Sequence, residues 1–296
     1  MPEGPEVRRM ADQLREYTEG KRVRFVVPCK GGRYEKSELP GLSEFPGQNA
    51  LEGHSLGLRI LDVRTKGKFL YWLLENEWSV WCTMGMSGTW RKVPYHDESK
   101  PELWTDKHDA VQFHLDTETG FAGGFLYFND ARHFGTIKLV KGNDKLAIKL
   151  ATLSFDHLDQ KHSTTAVWWY LQDCKKHLLE DPIATVLMDQ SIFAGVGNYL
   201  RAEILYAVKM SPWVKLKDVT YEQLDAICIA ARDIMLKSYE SGGATIATYR
   251  DANGEKGQYA SRFACYGRKT DENGFKVIKE KTSDGRTMHW CPEVQK

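Results

Sequence analysis

Between residues 58 and 140, apolar side chains recur at every second position. Examples are Phe69 and Tyr71, then Trp78, Val80 and Cys82, then Val111, Phe113 and Leu115, then Phe125 and Tyr127. This period places alternate side chains on one face of a strand, and turn-like stretches such as Glu75-Asn76-Glu77 separate the runs. Short strands with one apolar face can bury it only against one another, so the segment reads as a β-sandwich or barrel. The strand pattern stops after Lys145. Residues 165–178, 182–189, 199–208 and 221–239 then carry helical spacing, which makes the second half mainly helical and the whole an α+β fold. At the front, Val7, Met10, Ala11 and Leu14 stand at i, i+3, i+4 and i+7, with Pro5 suited to a first turn and Gly20 to a stop. This spacing predicts an amphipathic helix over 5–17. From Arg262 onward, short alternating stretches (Phe275 and Val277, Thr287 and His289) flank Asp284-Gly285, a dipeptide favoured in tight hairpins. The expected domains are an N-terminal β-sandwich with its flanking helix over 1–149, a linker over 150–163, a helical domain over 164–261 and a terminal hairpin over 262–296.

A chain of 296 residues, 42% hydrophobic and 27% charged, is long enough for about two domains. Its 41 Lys and Arg against 40 Asp and Glu leave a net charge of +1. Only a local basic surface could therefore attract a polyanion. No apolar run reaches the roughly eighteen residues of a membrane span. The start MPEGPEVRRM is charged where a secretory signal carries its apolar core. No membrane partner is expected, and the chain reads as intracellular. Cys29, Cys82, Cys174, Cys228, Cys265 and Cys291 are scattered with no C-x-x-C pair, so reduced thiols and no structural metal are expected.

Removal of Met1 would leave Pro2 with a free secondary amine. An α-amino group is less basic than a lysine (about 8 against about 10.4), so more of it is neutral and nucleophilic near pH 7. Attack by such an amine on a sugar C1′ gives an iminium ion, an electron sink that acidifies the neighbouring protons and permits strand-cleaving elimination. Glu3 and Glu6 lie beside it. Carboxylates next to a nucleophile suit sugar C1′ chemistry, one protonating the departing group and the other positioning the substrate. The plainer reading is that Pro2, Glu3, Pro5 and Glu6 begin a helix, where proline in the first turn and acids near the positive end of the dipole are ordinary.

PEGPE at the start, Arg64-Thr65-Lys66-Gly67-Lys68-Phe69, Gly85-Met86-Ser87-Gly88, and Asp189-Gln190 through Gly195-Val196-Gly197-Asn198-Tyr199 occur in order along the chain. Together they resemble the Fpg/Nei family of DNA glycosylases over effectively the whole length. PEGPE with GNYLRAEIL looks more like the endonuclease VIII (Nei-like) branch. The resemblance implies Pro2 as nucleophile, Glu3 as general acid, Glu6 near the lesion and Lys68 on a DNA phosphate. Arg64 and Lys66 read as solvated charges. An enzyme acting on a base in duplex DNA must rotate that nucleotide out of the stack and fill the gap. Met86, Arg132 and Phe134 match the family's wedge, against a competing reading of Met86 and Phe134 as sandwich core.

The Gly195 to Asn198 turn resembles the family's helix-two-turn-helix, in which backbone N–H groups and Asn198 would hold a phosphate. Ala184 departs from it, standing where many relatives carry a phosphate-binding lysine. Relatives commonly end in a four-cysteine zinc finger after a Tyr-Gly-Arg segment, here Tyr266-Gly267-Arg268. Residues 269–274 contain no cysteine and the distal pair is reduced to Cys291, which implies a zincless finger that keeps Arg286 for phosphate binding. Asp251, Asn253 and Glu255 around Gly254 suggest a calcium loop at first sight, but the glycine spacing is wrong, and the resemblance implies instead a loop covering the flipped base (249–260), as in some relatives. Trp168-Trp169-Tyr170 reads as helix packing, and His133 as a surface histidine.

The implied protein is a bifunctional glycosylase and AP lyase of base excision repair, a monomer without cofactor. It would act on double-stranded DNA bearing oxidised pyrimidines, hydantoins, formamidopyrimidines or abasic sites, with β,δ-elimination. DNA would cross between the two domains. An 8-oxoguanine preference and a non-catalytic binder of damaged DNA are the competing readings.

Overall fold

The computed structural model describes residues 2–46, 57–93, 106–117, 120–159, 163–245 and 250–296. It divides into two compact units. The first comprises Met1–Pro2, Glu6–Ala151 and Ala244–Gly257, and the second comprises Glu3–Pro5, Thr152–Gly243 and Gln258–Lys296.

In the first unit, helix α1 (Gly4–Thr18), which belongs to it from Glu6 onward, is followed by strands β1 (Lys21–Pro28), β2 (Leu58–Lys66), β3 (Phe69–Leu74), β4 (Trp78–Thr83), β5 (Thr89–Val93), β6 (Asp109–Thr117), β7 (Gly120–Asn129) and β8 (Thr136–Lys141). The strand order is β5-β7-β6-β1-β2-β3-β4-β8. β1 and β2 pair only at Arg22 with Arg59 and Val23 with Leu58. This short seam lets two antiparallel four-stranded halves fold face to face. Trp72 of β3 packs on Trp90 of β5 and Phe113 of β6 at ring-centroid distances of 5.0 and 5.1 Å, so the two faces share one core. Val7, Met10, Ala11 and Leu14 of α1 join that core, as their helical spacing requires. The α+β architecture and the β-sandwich are as expected.

Two elements are new. β1 escapes the period-two pattern because its register with β6 shifts between Val23 and Phe25, which breaks the alternation. Helix α2 (Asn143–Ala151) buries only Leu146 and exposes Ile148, so it carries little amphipathic signal.

The second unit holds α3 (Thr164–Cys174), α4 (Ile183–Val186), α5 (Asn198–Ala207), α6 (Tyr221–Glu240) and the hairpin β9 (Ile278–Lys281) to β10 (Thr287–Trp290). The helix expected over 165–178 ends at Cys174 and continues as a 3-10 turn. The one expected over 182–189 is a single turn. α6 starts in a capping box, with Thr220 and Gln223 satisfying each other's backbone N–H. The side chains of Tyr199, Leu200, Ala202, Ile204 and Leu205 in α5 are buried, which makes this helix the centre of the unit.

Candidate active site

Pro2 is buried in the first unit, and Met1, on which the freeing of its amine depends, lies outside the described residues. Glu3, buried in the second unit, accepts the N–H groups of Tyr199 and Leu200 at 3.0 and 3.3 Å. Its carboxylate therefore sits on the positive end of α5. Gly197 makes this approach possible, since a Cβ there would stand 2.3 Å from the Glu3 carboxyl carbon. Glu6 is also buried, and its carboxylate accepts the N–H of Ala244 at 2.7 Å. Lys68 is half-buried in the Gly67-Lys68 turn joining β2 to β3. Of its neighbours, Arg64 is an exposed partner of Asp62 at 2.7 Å. Lys66 is not simply solvated, because its Nζ donates to the Leu150 carbonyl at 2.8 Å.

Met86 and Phe134 are 41% and 57% exposed, so neither belongs to the sandwich core. They sit on two abutting loops: a Cβ on Gly85 would come within 2.5 Å of the Phe134 carbonyl carbon. The Arg132 guanidinium stands 5.6 Å from the Phe134 ring centroid. One buried carboxylate, Asp130, joins the loops. It accepts the Ser87 hydroxyl, the Arg132 N–H at 3.3 Å and the Gly135 N–H at 2.6 Å. Arg33 adds bonds to the carbonyls of His133 and Gly135 at 2.9 and 3.1 Å, with His133 exposed and held at φ 56°.

In the second unit, Asn198 begins α5 and its Nδ2 donates to the Thr287 carbonyl at 3.0 Å, tying the helix start to β10. Arg286, at the hairpin tip, is half-exposed and pairs with Asp284 at 2.9 Å. Behind it, the fully buried Arg201 donates to the Ala184 carbonyl and to Thr282, and lies 3.4 Å from Asp284. Burial lowers the Arg201 pKa while Asp284 opposes that shift. Burial would raise the Asp284 carboxyl, but hydrogen bonds from Thr282 and Arg286 and the charge of Arg201 hold it below the usual range.

Residues 250–255 form a tight loop in the first unit, where Tyr249 lies outside the described residues. Asp251 accepts the N–H groups of Asn253 and Glu255 at 3.0 and 2.9 Å, so a backbone turn fills the role a calcium ion would play. Arg250 to Gly254 also line a cavity of 620 Å³ together with Ser87, Asn129 and Ala131, within the size range of small-molecule sites. In α3, Trp168 packs edge-on against Tyr221, whereas Trp169 is 60% exposed and Tyr170 is also exposed. The helix-packing reading therefore holds for Trp168 alone.

Residues 1–137 match the formamidopyrimidine-DNA glycosylase N-terminal domain, and residues 153–250 match the formamidopyrimidine-DNA glycosylase H2TH domain. The formamidopyrimidine-DNA glycosylase of Exiguobacterium sibiricum is 30% identical, covering 100% of this chain and 99% of its own. The chain belongs to the formamidopyrimidine-DNA glycosylase family. It is accordingly a DNA glycosylase of DNA repair. The crystal structure of the MutM (Fpg) protein from Thermus thermophilus matches with a TM-score of 0.77 at 28% identity, covering 99% of this chain and 98% of that one. The Lactococcus lactis Fpg in complex with abasic-site DNA shares the fold, with a TM-score of 0.79 at 21% identity over 99% of each chain.

The zinc site common in this glycosylase family does not fit the residues present. Within residues 269–274, which contain no cysteine, Asp271 accepts the N–H groups of Asn273 and Phe275 and the Tyr206 hydroxyl at 2.8–2.9 Å. Cys265 and Cys291 are buried. Burial, with the nearby Glu203 charge, pushes the Cys265 thiol up to about 12, which keeps it protonated at neutral pH. Among the described residues no cluster of His, Cys, Asp and Glu could hold a metal.

Sequence reasoning gave no role to Asp130, Arg33, Gln13 and Arg9, and read Arg201 and Glu203 only as part of the family motif. Each acts through backbone groups or partners remote in sequence. Glu203, for example, accepts three consecutive N–H groups, of Ala264, Cys265 and Tyr266, across the unit. Only Asp130 carried a local signal, an Asn-Asp pair at a strand end of the kind that caps turns.

Proposed function

We propose that this glycosylase is bifunctional, excising oxidised bases through Pro2 and then cleaving the strand. With Met1 removed, the neutral Pro2 nitrogen attacks C1′ of the damaged nucleotide as the glycosidic bond breaks, its proton going with the departing base; the C1′–O4′ bond then opens, Glu3 giving its proton to O4′, and leaves an iminium at C1′. The resulting iminium acidifies the C2′ protons. Loss of one expels the 3′ phosphate by β-elimination, and a further loss expels the 5′ phosphate by δ-elimination. Lys68, Asn198 and Arg286 bind phosphates, and Glu6 lies near the lesion. Met86, Arg132 and Phe134 fill the gap left in the duplex.

The observation that carries this reading is the Met86, Arg132 and Phe134 group. Two large apolar side chains stand exposed beside an arginine on loops locked by a buried carboxylate, an arrangement that serves no core and suits insertion into a base stack. Oxidised pyrimidines, hydantoins and formamidopyrimidines are the favoured substrates in double-stranded DNA, in keeping with the Nei-like start and a finger without its cysteines. The catalytic sandwich domain spans 1–149, followed by a linker over 150–163, a helix-two-turn-helix domain over 164–261, of which residues 244–257 pack into the first unit, and a zincless finger over 262–296. The protein works as an intracellular monomer without cofactor.

Borohydride trapping tests the mechanism on duplexes bearing thymine glycol, a hydantoin, 8-oxoguanine or an abasic site, with mass spectrometry to locate the link. An adduct at Pro2 on a lesion duplex is expected, strongest on the oxidised pyrimidine or hydantoin. Strongest trapping on 8-oxoguanine would reverse the substrate order. No adduct even at the abasic site would overturn the mechanism in favour of a non-catalytic binder.

A further inference from the structure

The mechanism above uses no part of the Asp189-Gln190 pair, although it stands in the family motif. Asp189 turns the chain after α4: its carboxylate accepts the Ser191 N–H at 2.8 Å and the Ser191 hydroxyl at 2.7 Å. The Gln190 amide then spans the turn that leads to α5. Its Nε2 donates to the Met188 carbonyl at 2.9 Å and to the Val196 carbonyl at 3.0 Å, while its Oε1 accepts the Gly195 N–H at 3.0 Å. One half-buried side chain thus serves backbone groups on both sides of the turn. Its own carbonyl accepts the Ser154 N–H at 3.0 Å, and Ser154 Oγ accepts the Ala194 N–H at 2.8 Å. A side-chain amide that supplies the pairs a turn's backbone lacks holds that turn in one shape.

That shape reaches the start of the chain through the Gly195 residue, and every group involved lies in the second unit. The Gly195 N–H rests on Gln190, and the Gly195 carbonyl accepts the Gly4 N–H at 2.9 Å. The approach is close, since a Cβ on Gly4 would stand 3.0 Å from the Gly195 Cα and 2.6 Å from Met235 Cε. Gly4 directly follows Glu3, whose carboxylate accepts the Tyr199 and Leu200 N–H groups. Glu3 is therefore held at both ends: its backbone through Gly4 and Gly195, its carboxylate through the start of α5. Without the Gln190 amide, the Gly195 N–H loses its acceptor and the Met188 and Val196 carbonyls lose a donor. The turn must then take up water or change shape, and the carbonyl that fixes Gly4 moves with it.

We propose that Gln190 is a positioning residue for the proton donor: its amide sets the Gly195 peptide so that Gly4 is fixed and the Glu3 carboxyl is held where it can protonate O4′. The inference rests on the reading of Glu3 as that donor and adds the residue that places it. Gln190 does not touch the reacting atoms. Its loss slows the opening of the sugar ring and the formation of the iminium, and leaves the affinity for the duplex as it was.

The test is a double-mutant cycle on the full chain with Gln190→Met, Glu3→Gln and the pair together. Gln190→Met keeps the volume of the side chain and removes its three bonds. The rate of borohydride-trapped adduct is measured under single-turnover conditions on a duplex with an oxidised pyrimidine, at enzyme concentrations that also give the half-saturation point. Gln190→Met is expected to slow the saturated rate by about 10- to 100-fold, the scale of a misplaced catalytic group. The half-saturation point is expected to stay within about twofold. In the Glu3→Gln background the same substitution should cost no more than about twofold, because a residue that acts through Glu3 has nothing left to place. An unchanged rate in Gln190→Met, a loss confined to half-saturation, or an equal further loss on top of Glu3→Gln overturns the proposal. If Glu3→Gln forms no measurable adduct, the split between rate and half-saturation decides. If Gln190→Met fails to fold by circular dichroism, Gln190→Asn, which keeps an amide on a shorter stem, takes its place. A Glu3→Gln variant as fast as wild type refutes the reading of Glu3 itself, and is distinguished by needing no Gln190 variant to show it.

Discussion

His114 of β6 stacks on Phe25 at 3.8 Å between ring centroids and meets Phe125 edge-on. Burial, reinforced by the Arg24 cation, lowers its pKa to about 4. In the unfolded chain the imidazole takes a proton near pH 6.5, so between pH 6.5 and about 4 the unfolded state binds more protons than the folded one. Stability is therefore lost as pH falls through that window, by about 1–3 kcal/mol once partial solvent exposure is allowed for. Urea unfolding at pH 7, 5.5 and 4.5 reads the loss directly. His114→Phe keeps the stacking and removes the titration, so its stability should change distinctly less over the same range. A variant with the wild-type slope would assign the dependence to another group. At the same scale, Asp130→Ala strands the N–H groups of Arg132 and Gly135 in a buried site. A cost of about 2–4 kcal/mol is expected, also by urea unfolding, from lost charge-assisted bonds and unsatisfied donors. A cost under about 0.5 kcal/mol would show that water readily replaces the carboxylate.

Helix α5 depends on a residue outside it. Its N-cap, Gly197, supplies no side chain, and the Glu3 carboxylate caps the helix from the far end of the sequence. Gly197→Ala places a methyl in the space of that carboxylate, so it should displace Glu3 from the Tyr199 and Leu200 N–H groups. Base excision should fall by at least about tenfold through loss of a positioned acid. Single-turnover kinetics would show the drop, and unaltered rates would mean that the acid is not held by α5. This dependence explains what was legible in the sequence. α1, the period-two strands β3, β4 and β6, and α6 follow from local spacing because each buries one regular face. β1 was hidden by its bulge, and α2 by its single buried residue. The motif residues could be named from the family pattern, but their anchors could not. Asp251 meets Gln13 across 238 positions and Glu3 meets Tyr199 across 196, and no local pattern encodes either pairing.

A net charge of +1 leaves attraction to DNA to a few placed cations rather than to the protein's overall field. Each phosphate neutralised releases counterions, so the slope of log K against log salt counts those contacts. Arg286 and Met86 should then separate cleanly. Arg286 is a half-exposed cation paired with one carboxylate, and Arg286→Ala should weaken binding to damaged and undamaged duplexes alike while reducing the salt slope by about one. Met86 carries no charge, so Met86→Ala should leave the slope unchanged. Its effect should fall on excision from a paired duplex, where a gap must be filled, and largely spare single-stranded substrate, which needs no wedge. Fluorescence anisotropy at four or five salt concentrations gives the slopes, and excision rates on paired and single-stranded oligonucleotides give the second comparison. An unchanged slope in Arg286→Ala would remove Arg286 from the phosphate contacts and leave its bond to Asp284 as a purely structural clasp of the hairpin tip. A Met86→Ala defect of equal size on both substrates would mean that the exposed methionine shapes the site rather than the duplex.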